Sequence, residues 1–478
     1  MASIKKNFGY NLILTFCNYL FPIITFPYIS RVLGVENIGI CNYIDSIINY
    51  FAMFSIMGIG SLGVREIARC KDNLEERAKV FSNLLLINIL LTFISIVFLC
   101  FCIFYVKQFF SYRDFLFVGI AKLVMMPFLV EWFFQGMQEF KYITIRSVLI
   151  RFFYIVSLFV FVHSKEDVFV YYILLALQTI VNAAINLSYS KKFVSFKIKE
   201  FSPFLYFIPI FVFGYYRILT SLYTTFNVFF LGFTSGNMEV GYFSTATKLN
   251  SLILSVFTAF TTVMVPKVSE MLNEGKEYEL RRIADKTFCI LITVAFPVII
   301  YCWFNAPMII RIIAGDGYDG AIIPFRIIIF LILIIGIEQV VIQQFLMACR
   351  SNKSIAIVST VGAFVGIFLN CILTPKYRSV GSAVSWGCSE LSVMLVGLFL
   401  LRKYMGLMIP VRFFIKSFVC AILYVLALVT LSLFNVSSYI YVFSSLFVVI
   451  ILFIIINFKL TPNPVFMSYF QLLKKRKS

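Results

Sequence analysis

Roughly fourteen apolar stretches of about 20 residues each follow one another along this 478-residue chain. Coiled as a helix, a stretch of that length crosses the ~30 Å hydrocarbon core of a bilayer. No water reaches an unpaired backbone group there, so a spanning segment must be a helix or part of a closed barrel. The stretches lack the strict alternation of a strand, which selects the helix. Composition agrees, with 61% hydrophobic and 13% charged residues against about 25% charged in a soluble domain. The expected fold is an all-α polytopic membrane protein, with helices at about 8–29, 38–64, 80–106, 115–136, 144–163, 168–188, 204–233, 240–265, 286–305, 324–349, 355–374, 380–401, 411–434 and 439–458.

Charge orients this bundle. Of 41 Lys and Arg, 29 fall at the two termini and on every second connection, seven on the other connections and five inside the apolar segments. The positive-inside rule places the first set, and with it both termini, on the cytoplasmic side of the membrane. The net charge of +19 is then directed at anionic lipid headgroups rather than nucleic acid. Eleven cysteines, without a CxxC pair, indicate neither a disulfide framework nor a metal site. The start Met1-Ala-Ser-Ile-Lys5-Lys6 resembles a signal peptide. Its apolar run continues to about Tyr28 through Pro22 and Pro27 without a small-x-small cleavage site, so it reads as a retained first helix.

A shift of 202 residues exposes an internal repeat. Gly34 and Gly39 fall on Gly236 and Gly241, each pair expected at an outer turn between two helices. Asn42, Asp45, Ser46 and Asn49 share one helical face and fall on Ser244, Thr247, Lys248 and Ser251. Asn11, Thr15, Asn18, Pro22 and Thr25 share a face of the first helix and Arg217, Thr220, Ser221, Thr224 and Asn227 a face of the seventh, with Thr15 falling on Arg217, Asn18 on Thr220 and Thr25 on Asn227. Six helices separate the two units, so they enter the membrane in the same sense, as a parallel repeat. The expectation is a six-helix lobe over 1–200, a second over 201–405, and two further helices with a basic tail over 406–478. Helices 1, 2, 7 and 8 are expected to turn their polar faces toward one central cavity. Small hydroxyls could also serve only as interhelical glue, but that does not account for Arg217 and Lys248.

A cation at mid-membrane costs about 2.5–3.5 kcal/mol on insertion scales, so it needs a partner, water or an anionic ligand. Arg217 and Lys248 are read as a cationic site for an anionic headgroup, Arg forking onto phosphate oxygens and Lys acting as a point charge. The alternative is a structural ion pair with Asp45. Arg151, Lys122 and Arg326 are weaker candidates. Asp45, Glu131, Glu338 and Glu390 could couple transport to H⁺ or Na⁺, or partner cations. His163 is an outer-loop residue, Asp316-Gly-Tyr-Asp319 lacks the ligand spacing of a calcium loop, and no P-loop is present. No cofactor is implied.

Two stretches carry a family resemblance. Phe26-Pro-Tyr-Ile-Ser-Arg-Val-Leu-Gly-Val-Glu-Asn-Ile-Gly39, followed by Gly58-Ile-Gly-Ser-Leu-Gly-Val-Arg-Glu-Ile-Ala-Arg69, resembles the N-terminal signature of bacterial oligosaccharide flippases. These are the O-antigen and capsule-repeat exporters of the multidrug/oligosaccharidyl-lipid/polysaccharide superfamily. Val240-Gly-Tyr-Phe-Ser-Thr-Ala-Thr-Lys-Leu249 and Ala321-Ile-Ile-Pro-Phe-Arg326 are similar to its second half. The resemblance implies two lobes alternating access to a cationic cavity. The implied cargo is undecaprenyl-pyrophosphate-linked oligosaccharide moved to the outer leaflet, with a polysaccharide polymerase as an expected partner. It carries over Arg31, Arg65 and Lys248 as binding residues, although the dense arginine cluster of lipid II flippases is missing from the first two helices. The rival readings are a drug or cation antiporter of the same superfamily and a membrane-embedded polymerase or ligase. Short outer loops disfavour the enzyme.

Overall fold

The structure, a computed structural model, describes residues 4–196, 202, 204–347, 352–434 and 437–460. Lys197, Lys199 and the basic tail from 461 onward lie outside the described residues. Among those described there is no strand. Eleven helices are long and apolar enough to cross a membrane, or twelve if the bent pair Asp319–Ile328 and Leu331–Leu346 counts as one. Two of them, Gly9–Arg69 and Lys353–Met405, are 61 and 53 residues long. At 1.5 Å per residue each exceeds the ~30 Å core more than twice over. The backbone leaves helical geometry within them at Gly34 and at Arg378. Among the described residues helix counting therefore yields eleven or twelve elements, two of them broken and each long enough for two spans.

The chain packs as two compact units, Met1–Gly241 and Tyr242–Ser478. Packing and repeat thus divide it at different places. The helices Phe204–Thr224 and Phe226–Ser235 open the second repeat, yet they lie in the first unit. There Tyr50 donates to the Ser221 carbonyl at 3.4 Å and its ring meets Phe229 edge-on. The core of this unit gathers Phe81, Trp132, Phe133 and Phe134 with Ile67 and Ile210. In the second unit the last two helices, Val411–Ser432 and Ser438–Ile455, pack on Glu277–Phe304 through Tyr424, Leu428 and Val449. Asn305 also donates to Ser445 Oγ at 3.2 Å.

Local signals explain several boundaries. Asn73 caps the helix Leu74–Tyr105 by accepting from the Glu75 and Glu76 amides at 3.1 Å each. Pro127 breaks the fourth span into Arg113–Met125, a 3₁₀ turn over Met126–Leu129 and Glu131–Gly136. No separate surface helix forms within 267–286. Asn237–Asn273 runs on until Gly275 turns the chain at φ 67°, and Glu277, Arg281 and Arg282 belong to the first turns of the next helix.

The repeat is visible in the backbone. Gly34 sits at φ 77°, ψ 170° and Gly236 at φ 89°, ψ 172°, the same region, which a side chain would oppose. The turn is tighter than expected, because each break is confined to its first glycine. Gly39 and Gly241 already lie inside the following helices, where they let backbones touch. A Cβ on Gly39 would stand 1.8 Å from the Asn237 carbonyl oxygen, and one on Gly241 2.2 Å from that of Val35. The contact is reciprocal.

Candidate functional site

In the first unit the structure sorts the intramembrane charges into two ion pairs and two cations, Arg151 and Arg217, that pair with no carboxylate among the described residues. Lys122 Nζ lies 2.7 Å from Asp45 Oδ1, with the lysine side chain 11% exposed. Within this unit the alternative partnership of Asp45 with Arg217 gives way to this pair. Arg146, whose position near the start of its helix suggests a cytoplasmic residue, is buried. Its NH2 group reaches Glu131 Oε1 at 2.7 Å and its NH1 group donates to Asn186. Two of the four candidate coupling acids are thus held by cations. The pairs were hard to anticipate because their members lie 77 and 15 residues apart.

Arg217 is exposed and lines a cavity of about 300 Å³. Glu131, Gln135, Asn88 and Ser61 line it with Arg217, and the broken fourth span contributes Met126, Leu129 and Val130. No carboxylate pairs with Arg217 among the described residues. With Arg146 compensating Glu131, the charge of this cluster is net positive. The cavity can hold an oxyanion, and its amides and hydroxyl can bond a polyol.

The remaining predicted residues are dispersed. In the first repeat stripe Asn49 and Asn18 are exposed and Asn42 and Asp45 half-buried, whereas Thr25 is buried with its hydroxyl on the Phe21 carbonyl. Arg151 donates to Asn18. Thr224 is exposed, with its hydroxyl on the carbonyl of the half-buried Thr220 at 3.0 Å. Arg31 folds back onto the Pro27 carbonyl at 2.8 Å. Arg65 pairs with Glu66 at 2.8 Å and lies over the Phe213 ring. In the second unit Lys248 and Ser244 are half-buried on the helix Asn237–Asn273, and Ser251 is exposed one turn further. There too, Glu338 and Glu390 approach each other closely. Trp386 Nε1 donates to Glu390 at 2.8 Å, and Glu338 Oε2 is buried without a hydrogen-bond partner among the described residues. Arg326 is held outside any such site by the Trp303 carbonyl and ring. Asp316 of the Asp316-Gly-Tyr-Asp319 segment pairs with Arg311 at 2.9 Å.

Comparison with known proteins follows the same lines. The family model described as "Polysaccharide biosynthesis protein" matches residues 4–272, more than half of the chain, and the MatE model matches 214–372. The chain is 25% identical over 414 residues to a protein of Escherichia coli (strain K12) named "Putative O-antigen transporter", covering 84% of this chain and 97% of that one. A protein of the same name from Shigella dysenteriae is 25% identical over 407 residues, covering 82% and 98%. Among solved structures, the lipid II flippase MurJ in an inward closed conformation superposes with a TM-score of 0.70 at 15% identity, over 91% of this chain and 97% of that chain. An inward-facing multidrug resistance MATE transporter of the MOP superfamily gives 0.62 at 14% identity, over 81% and 94%. The fold is therefore that of MurJ and MATE, and the chain belongs to the polysaccharide biosynthesis protein family, the oligosaccharide-flippase branch of the MOP superfamily that its N-terminal signature resembles.

Proposed function

We propose that this protein moves undecaprenyl-pyrophosphate-linked oligosaccharide from the cytoplasmic to the outer leaflet of the bacterial cytoplasmic membrane by alternating access, without catalysing a covalent step. The observation that carries this reading is Arg217: a cation inside a membrane span, lining a polar cavity, while Lys122 and Arg146 are each neutralised by a carboxylate and Arg151 is held by Asn18. A diphosphate supplies the missing negative charge, and the sugars find hydrogen-bond partners in Asn88, Gln135 and Ser61. Lys248, at the repeat-related stripe, is the second cation in this reading. The names of the E. coli and Shigella relatives support a cargo of this class. A drug or cation antiporter would call for an acidic site, whereas the cluster around Arg217 is net positive. Of the acids, Glu338 and Glu390 are the pair proposed for ion coupling, because Asp45 and Glu131 are engaged with cations.

The test is export. Depleting the protein in its host should raise lipid-linked oligosaccharide on the cytoplasmic side and deplete surface polysaccharide. Arg217→Ala and Lys248→Ala should reproduce this while the protein stays in the membrane at its normal level. Normal export in both variants would remove the cationic site. Unchanged polysaccharide with altered drug sensitivity would favour the antiporter.

A further inference from the structure

A second cavity of the first unit lies apart from the one that Arg217 lines. It is a groove of about 800 Å³ between the helices Phe140–Phe161 and Val168–Ser190, within the volume range of small-molecule sites, ~300–1,000 Å³. Tyr142 stacks on Tyr189 with ring centroids 3.8 Å apart, which sets the antiparallel register and places Ser157 opposite Leu174 at the far end. Between these ends the lining comes from successive turns of both helices, including Ile145, Leu149, Phe153, Leu177 and Val181. Ile145, Leu177 and Val181 are each more than 40% exposed. Gln178 is the polar exception in the middle.

The two ends differ. At the Tyr142 end stand Glu139, Lys141 and Arg146, and Lys192 lies 5.1 Å over the Tyr189 ring. Counting Glu131, which pairs with Arg146, three cations stand against two acids, and the net positive charge makes this end complementary to an anion. Arg146 is nine-tenths buried, and its Nε has no hydrogen-bond acceptor among the described residues, a costly state for a donor that no ligand completes. By charge distribution this end faces the cytoplasm.

Length selects the occupant. From Lys141 to Ser157 the groove follows sixteen residues of helix, about 24 Å at 1.5 Å per residue. One leaflet offers about half of the ~30 Å hydrocarbon core, so an acyl chain of the inner leaflet would fill only about 15 Å of it. We propose that the groove seats the polyprenyl chain of the carrier lipid, with the diphosphate at the Lys141–Arg146 end, as a loading site on the flank of the first unit. This rests on the flippase reading above.

The experiment uses the full-length protein in nanodiscs of phosphatidylethanolamine and phosphatidylglycerol, with a polyprenyl diphosphate bearing a photoreactive group along its chain. Crosslinks should map to both groove helices. The double substitution Leu177→Trp and Val181→Trp, which fills the groove from side chains outside the core, should reduce them about tenfold, equivalent to ~1.4 kcal/mol of affinity. Lys141→Glu should weaken them in the same direction. Displacement of the probe by excess phosphatidylglycerol would make the groove an ordinary lipid seam and overturn the proposal, as would crosslinks confined to other helices. If the double variant fails to fold, the crosslink map of the unaltered chain decides alone. The parent reading fails separately: when depletion leaves export intact the flippase assignment falls whatever the probe labels, and when depletion blocks export but the probe avoids the groove, only the loading site falls.

Discussion

Asp45 and Glu131 show how a residue's role in a membrane is set by its nearest counter-charge. Both are acids on accessible surface of spanning helices and read equally well as ion carriers or as partners. Lys122 and Arg146 decide for partnership. Removing one member of such a pair strands a charge where water is scarce, at a cost of about 3–5 kcal/mol for fully buried pairs. Because the Asp45 side chain is 32% exposed, Lys122→Met should cost about 3 kcal/mol, the lower end of that range. The loss should appear as a lowered thermal midpoint of the detergent-solubilised protein, and Asp45→Asn added to it should restore most of the stability. A single variant as stable as the parent would show that the pair contributes nothing. The Arg217 stripe was legible from spacing alone, since polar side chains at helical intervals in an apolar segment share a face. The Arg146–Glu131 pair was not, because spacing within one helix says nothing about which other helix lies against it.

Among the elements, the two glycine breaks give the sharpest expectations. At Gly39 an added methyl would overlap the Asn237 carbonyl, so Gly39→Ala should destabilise by about 1–3 kcal/mol, as overpacking does. Gly236 has open space around it and only its φ of 89° to defend. Gly236→Ala should therefore cost less, about 1–2 kcal/mol. Thermal stability of the two variants side by side checks the order; a greater loss at Gly236 would mean that backbone conformation, not close packing, sets these turns. The glycine pairs were visible in the sequence as a 202-residue repeat. That one glycine of each pair turns the chain and the other permits contact depends on φ, which spacing does not encode.

At the scale of the molecule, the charge asymmetry predicts topology. A cysteine at Ser164, in the connection between the fifth and sixth spans, should react with an impermeant maleimide in intact cells. One at Glu75 should react only after the inner membrane is opened. The reverse pattern would invert the orientation. Class, helical architecture, repeat and family signature were all determined by the sequence, because each rests on the local transfer energetics of one segment or on similarity along the chain. Which acid meets which cation, where Arg217 finds its cavity, and the presence of a long groove beside Arg146 were decided only by tertiary structure. Those depend on which faces of separate helices meet, and helices of equal hydrophobicity carry no local record of their neighbours.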